Sequence, residues 1–77
     1  MIKLKNGDIF YYYGNNVEEW RFKKLKVVDD SPKDCVCIFK NLLPVGNDAP
    51  GTLFRLGYAH EKEFRKCEMP EYIKIFL

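Results

Sequence analysis

Three cysteines and one histidine, Cys35, Cys37, Cys67 and His60, are the side chains with which this 77-residue chain could do chemistry. Together they match the ligand set of a Cys3His zinc site. Structural zinc sites gather such ligands on Cys-x2–4-Cys knuckles, where a tight turn brings two sulfurs together. Cys35-Val36-Cys37 instead has a one-residue spacer inside an apolar run with no turn residue. That pattern favours buried thiols acting as small hydrophobes, so neither a metal nor another cofactor is expected. A nucleophilic Cys–His pair is the second reading. On a helix His60 and Cys67 would share one face, but they would stand about 10 Å apart along the axis. That is too far for the hydrogen bond that activates a nucleophile. No glycine-rich phosphate loop, acid/base carboxylate pair or serine nucleophile motif is present. The sequence reads as that of a non-enzyme.

The other candidate residues are suited to binding. Phe10, Tyr11, Tyr12 and Tyr13 form an unbroken aromatic run, and "RFKKLK" places Arg21, Lys23, Lys24 and Lys26 close behind Trp20. Rings interleaved with cations suit single-stranded nucleic acid, which needs flat surfaces for bases and charge for phosphates. The same lysines could also form a solvated face that discourages edge-to-edge strand pairing. Glu18, Glu19, Asp29 and Asp30 bracket the run and dilute its field. In a strand the aromatic run divides by parity: Phe10 and Tyr12 face one way, Ile9, Tyr11 and Tyr13 the other. One set fills the core. The outward set, expected to be Tyr11 and Tyr13, covers neighbouring strands or forms a contact surface, since tyrosine is enriched at interfaces and contiguous exposed aromatics mark them.

The bulk numbers agree with a small binding domain. A net charge of +2, from 13 basic and 11 acidic residues, is low for a dedicated nucleic-acid binder. A content of 47% hydrophobic and 16% aromatic residues argues for one folded domain spanning residues 1–77. The odd cysteine count and the alternating start Met1-Ile2-Lys3-Leu4-Lys5, without a signal-peptide pattern, point to a reducing cytoplasm. No run approaches the roughly 20 apolar residues of a membrane span, so no membrane partner is expected.

The elements that must position these residues are mostly strands. "MIKLK" alternates like a half-buried strand, and "IFYYY" is a second. Gly14-Asn15-Asn16 can supply the positive φ angles of a hairpin whose other arm is "EEWRFKKLKVV". In that arm Trp20 and Phe22 have opposite parity to Leu25 and Val27. A β-bulge near Lys23-Lys24 would bring all four to one face and put Arg21, Lys24 and Lys26 on the other. "CVCIF" is apolar on both faces, as a central strand is. "NLLPVGNDAPG" must be a loop, and "TLFRLGYA" is a further strand with Phe54, Leu56 and Tyr58 on one side. "HEKEFRKCEM" has the spacing of one or two helical turns with His60, Phe64 and Cys67 on a stripe, stopped by Pro70. "YIKIFL" closes the chain as a strand. Five to six short strands with one helical turn make the chain mainly β, a small antiparallel barrel or strongly bent sheet.

The order "GDIF", turn, "W-x-F", "V-V", turn, apolar strand, long loop, "GTLFRL" and "EKEF" resembles the small SH3-like barrel proteins of bacterial and phage genomes. The likeness spans most of Lys5 to Cys67 at the level of pattern. The triple tyrosine and the last segment depart from it. It implies an SH3-like barrel and a phage or mobile-element origin, and such barrels serve many functions. The combined expectation is a non-catalytic cytoplasmic module, a protein-directed regulator or inhibitor. Its partner-binding residues are Tyr11, Tyr13, Trp20 and Arg21, with Lys24 and Lys26 at the margin. A nucleic-acid-binding barrel using the same residues is the alternative, and a homodimer through the aromatic strand or "YIKIFL" is a further expectation.

Overall fold

The computed structural model describes residues 2–77. Five strands form one antiparallel sheet: β1 (Ile9–Tyr12), β2 (Lys24–Asp29), β3 (Cys37–Asn41), β4 (Leu53–Leu56) and β5 (Phe64–Lys66). Their spatial order is β4-β3-β2-β1-β5, so the first four strands run as a meander and the last returns to pair with the first. A 3-10 turn at Glu18–Trp20 lies in the β1–β2 connection, and a longer one at Tyr58–Glu63 leads into β5. A single short helix, α1 (Glu71–Lys74), follows. The mainly β expectation of five to six strands thus holds. No helix among the described residues is long and apolar enough to cross a membrane.

The core follows from strand parity. Phe10 and Tyr12 from β1, Leu25 and Val27 from β2, Cys37 and Phe39 from β3, Leu56 from β4 and Phe64 from β5 are all buried in one cluster. Phe10 sits edge-on to Phe39 at 5.2 Å, and Tyr12 edge-on to Phe64 at 5.2 Å. These are the separations and angles at which ring quadrupoles attract. β3 lies between β2 and β4, as the two-sided "CVCIF" run requires. The long loop after β3 is ordered by buried Asn41. Its side chain donates to the Leu43 and Asp48 carbonyls and accepts from the Thr52 N–H.

Several expected local features are replaced by others. Residues Ile2–Lys5 alternate in burial but pair with no strand, and Met1 lies outside the described residues. Gly14 has no positive φ; its missing Cβ is what matters, because a methyl there would stand 2.5 Å from the Tyr12 hydroxyl. The second hairpin arm is not a strand from Glu18 onward, since β2 begins only at Lys24. No bulge occurs at Lys23-Lys24, and the register shift lies between Val27 and Asp29. The face change is instead made by the 3-10 turn and by Phe22, whose φ is +63°. The His60–Phe64–Cys67 helical stripe does not form: the turn ends at Glu63, Phe64 starts β5, and Tyr58 lies in the turn rather than in β4.

The last departure is "YIKIFL", which forms no strand: its first three residues complete α1 and Ile75–Phe76 continue as a turn. Pro70 precedes the helix with φ −60°, a value already compatible with it, so it opens a helix instead of ending one. The deciding contact is tertiary. Lys74 Nζ lies 3.0 Å from Asp8 Oδ1, and both residues are buried. Asp8 Oδ2 also accepts from the Lys5 N–H at 2.9 Å and faces Lys66 at 3.5 Å. Burial alone would raise the Asp8 pKa. The Lys5 N–H, the Lys74 hydrogen bond and the two lysine charges outweigh it and hold the carboxyl below its ordinary range. Strand propensity is weaker than such a buried ionic anchor, because propensity mostly reports packing.

Candidate functional site

Outward parity on β1 builds the candidate site. Tyr11 stands opposite Lys24 of β2 and Arg65 of β5, so all three project from one face. Tyr13 continues that face beyond the end of β1. Phe22 joins it from the β1–β2 connection, where its N–H donates to the Tyr12 carbonyl at 3.1 Å. The three rings form a triangle, with centroids 6.3 Å (Tyr11–Tyr13), 6.4 Å (Tyr11–Phe22) and 6.3 Å (Tyr13–Phe22) apart. Tyr13 is 54% and Phe22 59% exposed, while Tyr11 is half-buried between them.

Each ring carries a cation. Arg21 lies 5.1 Å from the Phe22 centroid, Lys24 5.5 Å from Tyr11 and Arg65 5.2 Å from Tyr13. None of these three cations forms an ion pair among the described residues. Exposed cation–ring contacts contribute about 0.5–1 kcal/mol each, enough to bias a side-chain position. Phe22 carries a cost in the opposite direction. A bulky residue in the left-handed region is strained by roughly 1–2 kcal/mol, and the conformation places an apolar ring in water. Such outliers cluster at functional sites.

Not every expected site residue belongs to this surface. Tyr11, Tyr13, Arg21 and Lys24 do. Trp20 does not: it turns inward, edge-on to Phe54 at 4.8 Å and to Phe39 at 5.7 Å. Trp20 ends the 3-10 turn, and Phe22 follows two residues later with φ +63°, so the two fall on opposite sides. Lys26 lies on the outer face, but its Nζ donates to the Lys74 carbonyl at 3.4 Å, under α1. From sequence Phe22 is expected on the Trp20 side, and Arg65 carries no expected role. Arg65 had no signal, because Glu63-Phe64-Arg65-Lys66 holds a single apolar residue and shows no strand alternation. Phe22 had none that a bulge would not explain equally well.

A concave feature lies on the inner side. A cleft of about 230 Å³ opens between the β1–β2 connection and the Tyr58–Glu63 turn. Val17, Trp20, Phe39 and Leu56 supply apolar lining, and Arg55 stands beside them. At its polar end Glu63 Oε1 accepts from the Tyr12 hydroxyl at 3.1 Å and from Asn16 Nδ2 at 2.9 Å, while Oε2 pairs with His60 Nδ1 at 2.9 Å. The His60 hydrogen bond is the largest of the effects that hold the Glu63 pKa below its ordinary value against desolvation. His60 is thereby committed to Glu63.

Cys35 and Cys37 are buried, and Cys67 is half-buried. Burial, then the neighbouring Cys35 and Asp29, push the Cys37 thiol up to about 12, so it stays protonated and inert at neutral pH. Among the described residues, no three of histidine, cysteine, aspartate and glutamate are gathered as metal ligands. No protein-family model matches the chain, and neither the curated proteins nor the solved structures yield a match.

Proposed function

We propose that this chain is a non-catalytic binding module, a regulator or inhibitor of another protein, acting through the outer face of β1. The observation that carries the reading is the exposed triangle of Tyr11, Tyr13 and Phe22 with Arg21, Lys24 and Arg65 against its rings. Aromatic and arginine side chains dominate the energetics of protein interfaces, because they bury large area and lose little entropy when already held in place. The unpaired cations favour a partner surface of acidic character. The further proposal of an SH3-like module of phage or mobile-element origin rests on the sequence resemblance alone.

The second reading, single-stranded nucleic acid, draws on the same rings and cations. One detail disfavours it. Each ring already has a cation near its face, where a base would have to stack. Two measurements separate the readings. Anisotropy with a mixed-sequence oligonucleotide at low and moderate salt should show no binding; affinity that falls steeply with salt would mark phosphate neutralisation and favour the second reading. Affinity capture from the source cell should recover a protein that the Tyr13→Ser variant fails to retain. Retention by that variant would contradict the proposal.

A further inference from the structure

The C-terminal segment is packed in an unusual sense. α1 buries its lysine against Asp8, and the apolar residues in and just after it face solvent: Tyr72 is 68%, Ile75 72% and Phe76 84% exposed. Phe76 is more exposed than any other large hydrophobic residue described. Contiguous apolar exposure of this kind marks a contact surface. Lys74 is shared between buried Asp8 at 3.0 Å and Glu71 at 3.3 Å, so one cation meets two carboxylates and the segment stays net acidic outward: the Glu71 side chain is 87% exposed, and Glu68 is exposed with no ion-pair partner among the described residues.

The inner cleft has the complementary character. Its apolar side presents Val17 and Trp20, and Arg55 beside them is exposed and has no ion-pair partner among the described residues. At about 230 Å³ it is smaller than a typical drug-sized pocket, and it suits one bulky side chain with its neighbour. Within one chain the two features lie toward opposite ends of β1: α1 is anchored at Asp8, just before the strand, and is met by Lys26, whereas the cleft adjoins Tyr12 at the far end. Four strand residues separate the two by about 13 Å.

We infer that the C-terminal segment docks into the cleft of a second copy, with Phe76 entering between Val17 and Trp20 and the acidic Glu68–Glu71 stretch meeting Arg55. Knob and cleft are different surfaces, so the contact is heterologous and propagates head to tail unless a ring closes. This self-association is independent of the aromatic triangle on the outer face.

Sedimentation velocity of the full chain from low micromolar to millimolar protein tests it. The wild type should grow in mass with concentration. Phe76→Ser, which lacks the knob, and Val17→Glu, which lacks the cleft, should each stay monomeric. An equimolar mixture of the two should form a 1:1 dimer and nothing larger, with a blue shift in the emission of the single tryptophan, Trp20, contributed by the Phe76→Ser chain. Restoration in the mixture also shows that both variants are folded. Tyr13→Ser should associate as the wild type does. A wild type that stays monomeric throughout, variants that still associate alone, a mixture that does not pair, or loss of association in Tyr13→Ser would each overturn the inference.

Discussion

The two faces of β1 carry the same kind of residue in similar contact and opposite consequence. Inside, Phe10 and Tyr12 meet Phe39 and Phe64 at 5.2 to 5.5 Å, with nearly all of their surface removed from water. Outside, Tyr11 and Tyr13 meet Phe22 at slightly larger separations, with two of the three rings more than half exposed. Ring-to-ring geometry is therefore not what distinguishes a core from a recognition surface. Burial is. The inner cluster has already released its water and holds the fold; the outer cluster retains most of its hydration, and its apolar area becomes available only to a partner.

The comparison breaks most visibly at Phe39. Its ring touches Phe10, Phe54, Phe64 and Trp20. Phe39→Ala should cost about 3–5 kcal/mol in urea unfolding, a large part of the total stability of so small a domain. Asp8→Ala comes next, because it leaves Lys74 buried without its anion. Its midpoint should fall by about 10 °C in thermal unfolding. The Asp8 pKa is depressed in the folded state, so the ion pair stabilises fully above the ordinary aspartate range. That contribution is lost as pH falls through the folded value, and the variant and wild-type midpoints should converge in acid.

A reagent test sharpens the inner side of the comparison. In native protein a thiol reagent should modify Cys67 first and leave Cys35 and Cys37 untouched until unfolding. Rapid native modification of Cys37 would mean that the inner face is open. The smallest expected stability change is at Phe22. Phe22→Gly removes an exposed ring and relieves a positive φ, so unfolding free energy should change by no more than about 1 kcal/mol.

Much of this arrangement could be read from the residues. The sheet was legible in the alternation of Lys24–Val27, since a buried face imposes its period on the chain, and in the strand-forming residues of Ile9–Tyr12, Cys37–Phe39 and Leu53–Leu56 between turn signals. Tyr11 and Tyr13 followed from the same rule. What escaped was non-local or special in backbone. The bulge proposed at Lys23-Lys24 accounted for Leu25 and Val27, but nothing in "WRFKK" revealed that Phe22 takes a left-handed conformation and faces out. "YIKIFL" has strand residues throughout, and its helix depends on Lys74 meeting Asp8, 66 residues away. Arg65 came to the site because β5 returns to β1, a pairing that periodicity alone does not specify.

The most direct test of the account joins both faces in one experiment. The triple variant Tyr11→Ser, Tyr13→Ser, Phe22→Gly should be compared with the wild type in urea unfolding and in quantitative capture of the wild-type partner protein. The account predicts unfolding free energy within about 1–2 kcal/mol of wild type, together with loss of capture. A destabilisation as large as that of Phe39→Ala, or undiminished capture, would contradict it.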